Sequence, residues 1–176
     1  MNLKLIMALI LVFLSIDNAT ITIAQSSQSI NSSKYAILKF NPGLDQYIFK
    51  GKFKSTSLSD NEIKNIEKLI AIRISEYNKM KLAENKKLLE KYPSKPHEII
   101  SGNLINNPAD YYKQFIAVTD AKGQKIVWAN CFCTPEEKSY WKKGIVEVED
   151  GGSCFFNLKI NLTTNTVYDF MVNGEA

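Results

Sequence analysis

Covalent, metal or acid–base chemistry in this chain would have to be built from three cysteines, one histidine and a short acidic run. Cys131 and Cys133 are separated by a single residue in a strand-like segment, which puts them on one side with Cα atoms about 6.6 Å apart, near the upper limit for a disulfide. That separation disfavours a Cys-x-Cys redox pair. In an oxidising compartment an odd count of cysteines leaves one thiol over. The expected bridge joins Cys154 to Cys131 or to Cys133, closing a loop of about 20 residues and stabilising the fold by about 3 kcal/mol. A simple meander would keep Cys154 two strands away, so the bridge requires a bulge, a bend or direct pairing of the two strands. The competing reading makes the cysteines small buried apolar residues, because Val127, Ala129, Cys131 and Cys133 share a face.

His97 is the only histidine, so any Cys-His or Ser-His-acid catalysis would have to use it. It follows Pro96 in a Lys-rich stretch and reads as an exposed loop residue. The spacing of the three cysteines and His97 does not match a Cys-x₂₋₄-Cys zinc knuckle, so no metal site is expected. Glu147 and Glu149 would stand about 6.6 to 7 Å apart on one side of a strand, between the retaining and inverting glycosidase spacings. With Asp150 they read as solvated acids beside a turn. No catalytic residue and no cofactor is expected.

Aromatic residues offer a better contact surface. Trp128, Tyr140, Trp141 and Tyr111 are the binding candidates. Trp128 alternates with Ile126, Asn130 and Phe132 on the face opposite Cys131 and Cys133, so both faces of that strand are rich in apolar side chains. Such a strand is either covered on both sides or displays a patch for a ligand. The 79–108 segment is the expected cover.

Composition bounds the partners. The 22 Lys and Arg against 18 Asp and Glu give a net charge of +4, but Arg73 is the sole arginine. Nucleic acid is therefore not an expected partner. Lys4, the apolar run from Leu5 to Ile16 and the small residues near Ala24 form a signal-peptide pattern too short to span a bilayer comfortably. The sequence divides into a leader (1–25), a polar spacer (26–33) and a single domain (34–176). The product is expected to be exported, periplasmic or extracellular, with no membrane association once the leader is cleaved. Asn31-Ser32-Ser33 and Asn161-Leu162-Thr163 match the N-glycosylation acceptor pattern.

Within the domain, Tyr35 to Phe40 and Tyr47 to Phe53 read as short strands flanking Asn41-Pro42-Gly43. Ser59 and Glu62 form a capping-box pattern ahead of Ile63, Ile66, Ile70, Ile74 and Tyr77, which recur at helical spacing. The spacing predicts a helix from Ser59 to about Asn78. Leu82, Leu88, Leu89 and Tyr92 either continue it or form a second one, and Pro93 stops it. The C-terminal third predicts strands at 111–119, 124–133, 145–149, 153–162 and 167–172, joined mostly by tight turns. On 153–162, Cys154, Phe156, Leu158, Ile160 and Leu162 should face the helix.

These elements predict an α+β fold with one long amphipathic helix packed on a curved antiparallel meander sheet. Over Tyr35 to Val172 that order of strand, helix and meander resembles the cystatin-like arrangement. The inhibitory Gln-x-Val-x-Gly hairpin has no match; its nearest counterpart is Gln124-Lys125-Ile126-Val127-Trp128. The segment from Asp150 to Ala176 also resembles the tail of small exported bacterial proteins with no assigned role. The expected function is a non-catalytic exported binding or interaction domain for a protein or small ligand. A protease-inhibitor-like protein and a small extracytoplasmic enzyme are the alternatives, and the scarcity of histidine argues against the enzyme.

Overall fold

The computed structural model describes residues 32–94, 104–135 and 140–174. His97, the leader, Asn31 and most of the spacer lie outside the described residues. The architecture is α+β, with one long helix packed against an open sheet of six strands.

The strands are β1 (Tyr35–Leu38), β2 (Lys54–Ser55), β3 (Tyr112–Thr119), β4 (Lys125–Phe132), β5 (Phe155–Asn161) and β6 (Thr166–Val172), with α1 (Asp60–Lys91) between β2 and β3. From β3 to β6 the sheet is an antiparallel meander. On the other side of β3, β1 and β2 share its edge end to end. β1 pairs parallel to it over Lys113 to Ile116, and β2 pairs antiparallel over Val118 and Thr119. The sheet is therefore mixed. The antiparallel expectation holds for every pair except β1 with β3, where the α1 crossover returns the chain in the same direction.

The capping box starts α1 as its sequence predicts. The Ser59 amide and hydroxyl donate to the Glu62 carboxylate at 2.8 and 2.9 Å, while the Glu62 amide reaches the Ser59 hydroxyl. Asp60 and Glu62 place negative charge at the positive end of the helix dipole. One continuous helix then runs to Lys91, capped by Tyr92 just before Pro93, so residues 79–91 extend it and do not form a second helix. Ile63, Ile66, Ile70, Ile74 and Tyr77 pack on Phe115, Ala117, Val127, Ala129, Phe156, Leu158 and Ile160. The inward set of β5 residues is the one alternation assigns.

The opposite face of the sheet is also covered, but by the β1–β2 and β4–β5 connections and not by the described residues of 79–108. Phe40, Ile48 and Phe49 from the β1–β2 connection pack over Ile116, Val118, Ile126 and Trp128. Trp141 from the β4–β5 connection packs with Ala36 and Phe132. Burial at both faces accounts for the near-continuous burial of β3 and β4.

Two expected strands are absent. Residues 47–53 begin in a tight turn and continue without a strand partner, with the Ile48 and Phe49 amides both donating to the Asp45 carbonyl; adjacent residues are thus buried together instead of alternating. Residues 145–149 run irregularly because side chains, not a neighbouring strand, bind their backbone. Asn130 donates to the Val146 carbonyl at 2.8 Å, the Val146 amide donates to Gln114 at 2.9 Å, and the Asn173 amide group donates to the carbonyls of Val148 and Asp150. With no strand interposed, β5 pairs directly with β4.

Candidate functional site

Direct pairing of β4 with β5 decides the cysteine chemistry. Phe132 sits opposite Phe155, so Cys133 and Cys154 meet one step further on, where the Cys133 amide donates to the Cys154 carbonyl at 3.1 Å. They form the disulfide, with Cα atoms 5.1 Å apart. The chain leaves the sheet at one half-cystine and re-enters at the other. Cys131 remains a free, fully buried thiol within the helix-facing core. Desolvation pushes its pKa well above the ordinary thiol value, with Lys113 opposing that shift, so it is held as an inert protonated thiol. Lys113 is itself buried, with its ammonium 3.2 Å from Glu67 of α1.

The aromatic contact candidates separate. Trp128, Trp141 and Tyr111 retain 8%, 3% and 2% of their exposure and are core residues, whereas Tyr140 is 56% exposed. The Tyr111 hydroxyl donates to the Ser153 carbonyl at 2.9 Å and accepts from the Asn106 amide at 3.3 Å. Desolvation raises its pKa. Glu147 also has a structural partner, since the Tyr47 hydroxyl donates to it at 2.5 Å and ties the two covering connections together. Burial and that bond raise the Tyr47 pKa. The Gln124–Trp128 segment lies within and just before β4 and is not a hairpin tip. Asn161 is buried, its amide donating to Gln124 and its carbonyl accepting from the Thr163 and Thr164 amides. Among the described residues no group of three His, Cys, Asp or Glu side chains could hold a metal ion.

A concave site appears elsewhere, where α1 crosses the edge strand β6. An open groove of about 380 Å³ has Leu69, Ile72, Arg73 and Glu76 on one wall and residues 165–170 on the other. The Arg73 guanidinium lies 4.8 Å from the Phe170 ring centroid and 3.3 Å from a Glu76 oxygen, which fixes it across the groove. Tyr168 is partly exposed on the β6 side, and desolvation raises its pKa.

The backbone around this groove is unusual. Asn165 and Asp169 are the two non-glycine residues with positive φ among those described, at 54° and 48°, and both line it. Asn165 makes the β5–β6 turn and accepts from the Asn65 amide group of α1 at 2.7 Å. Asp169 sits in a β-bulge: two β6 residues lie between the positions paired with Lys159 and Asn157, opposite the one β5 residue between them. Its carboxylate meets the Lys159 ammonium at 2.9 Å. The bulge shifts the alternation, so that Val167, Phe170 and Val172 all reach the core while Tyr168 and Met171 stay exposed. Sequence periodicity missed this site because it joins residues about a hundred positions apart. Asn-165 and Asp-169 chemistry, tolerant of left-handed backbone, was its only local signal.

No protein-family model, curated protein or solved structure matches the chain.

Proposed function

We propose that the chain is a non-catalytic exported binding domain that takes an extended ligand in the groove between α1 and β6. The observation that carries this reading is the coincidence of both left-handed non-glycine residues with an open cleft in which the apolar Leu69, Ile72 and Val167 alternate with the charged Arg73, Glu76 and Asp169. Backbone conformations of this kind cluster where a surface is shaped for contact. Export is supported by the leader pattern and is compatible with the Cys133–Cys154 disulfide.

The test is selection of a random peptide library on the mature protein. Peptides should be recovered whose binding is lost in Ile72→Glu and in Tyr168→Ala, two exposed positions whose change leaves the core intact. Failure to recover any peptide, or binding to both variants as strong as to the unchanged protein, overturns the reading.

A second reading rests on a different surface. Ala121, Lys122 and Gly123 are exposed at the β3–β4 hairpin tip, and a protease-inhibitor-like protein with a cystatin-like arrangement would present such a wedge. Inhibition of a cysteine protease that is weakened by Lys122→Glu would support it, and unchanged protease activity at saturating protein would end it.

A further inference from the structure

We infer that the extended ligand is a basic peptide segment that joins the sheet as a further strand on the free edge of β6, beside α1. The inference rests on the groove reading above and names what that groove takes. β6 ends the strand order, so one of its edges has no neighbour. Hydrogen bonds fix which backbone groups that edge presents. The Cys133 amide donates to the Cys154 carbonyl and the Leu162 amide to the Lys125 carbonyl, so even-numbered residues on and beside β5 bond to β4. The Asn173 amide donates to the Phe155 carbonyl, so the odd-numbered ones bond to β6. Thr166, Tyr168 and Met171 stand opposite Asn161, Lys159 and Asn157 and turn their backbone groups toward β5. Val167 and Val172 therefore direct their N–H and C=O groups away from the sheet, with no backbone partner among the described residues.

Leu69, Ile72, Arg73 and Glu76 recur at steps of three and four along α1, beside the stripe that packs on the sheet. They form the groove wall facing Val167, and Ile72 is 46% exposed there. A strand laid along this edge would pair its backbone with Val167 and send alternate side chains against Leu69 and Ile72, as the existing strands do against the neighbouring stripe of α1. The exposed charges fit a cation. Glu76 and Asp169 stand on opposite walls with side chains 61% and 58% exposed. Each meets its own partner, Arg73 or Lys159, through one carboxylate oxygen and leaves the other without a contact among the described residues. A lysine or arginine on the incoming strand supplies the missing donor. A second copy of this chain fits poorly, because it brings a net charge of +4 and an edge interrupted by the same Asp169 bulge.

The probes are the peptides recovered from the random library, each N-methylated at one backbone position at a time. Methylation should weaken binding about tenfold at every second residue and spare the residues between, since one parity faces β6. In isotope-labelled protein the Val167 amide should become protected from hydrogen exchange on binding, whereas that of Tyr168, already turned toward β5, should be unchanged. The recovered pool should be enriched in lysine and arginine. Glu76→Gln/Asp169→Asn should weaken binding roughly tenfold, against little change in Glu84→Gln/Glu90→Gln, the same charge change at exposed positions elsewhere. Circular dichroism confirms that each variant is folded. Peptides whose binding is lost in Ile72→Glu but which tolerate methylation at every position, or leave Val167 unprotected, overturn strand addition while the groove reading stands. A pool without basic enrichment, indifferent to Glu76→Gln/Asp169→Asn, overturns the basic character of the ligand. Recovery of no peptide overturns the groove reading and this inference with it.

Discussion

Gln114 organises the sheet face turned away from α1. Fully buried, it donates to the carbonyls of Trp141 and Gly144 at 2.5 and 2.7 Å and accepts from the Val146 amide and from Asn130. One carboxamide thus replaces the strand that residues 145–149 do not form. Gln114→Ala would leave several buried backbone groups unpaired and should lower stability by about 3 kcal/mol, read from the shift in urea midpoint. Cys131 sets a different response. Because its folded pKa is raised, the folded state keeps a proton that the unfolded thiol loses from about pH 9 upward, so stability should fall as pH rises past that value. Between about pH 7 and pH 10, wild type should lose about 1–2 kcal/mol more than Cys131→Ala, as measured by urea unfolding.

At the scale of elements, the N-terminus of α1 is joined to the start of β4. The Lys125 ammonium reaches Glu62 at 2.6 Å and the Ser57 carbonyl at 3.1 Å. Ser59→Ala should cost about 1 kcal/mol through loss of the cap. The hydrogen bond from Lys125, reinforced by that from Ser59, holds the Glu62 carboxyl below its usual pKa. Its contribution is present above the ordinary carboxylate range and is lost as pH falls through the lowered folded value. Lys125→Met should therefore flatten the acid limb of the stability profile, which thermal melts across the acid range would reveal. The stripe from Ile63 to Tyr77 and strand β5 were legible in the sequence because each buries a face in register with its own backbone period. β3, β4 and β6 were legible as strands although β3 and β4 are buried on both faces and a bulge shifts the alternation of β6. Residues 47–53 and 145–149 carry similar alternation. Their fate depends on Asp45, Gln114, Asn130 and Asn173, and alternation does not encode distant hydrogen-bond partners.

For the molecule as a whole, fold class could be read from element order, whereas the route of the chain could not. The parallel placement of β1 follows from α1 crossing between neighbouring strands, and both sheet faces are closed by connections whose burial no short window of sequence displays. The same reason hides the groove. Its walls come from Leu69 to Glu76 and from Asn165 to Phe170, and neither segment alone is concave. Conversely, Trp128, Trp141 and Tyr111 looked like a contact surface because aromatic type carries no information about which connection covers it.

The Cys133–Cys154 bond closes residues 134–153 into a covalent ring at its neck. Lys142 and Lys143 lie on the outside of that ring and are open to trypsin. A molecule cut there would migrate as an intact chain until reductant is added, and only then separate into two fragments. Backbone scission in this region can therefore alter the cover over Phe132 without shedding either half of the sheet.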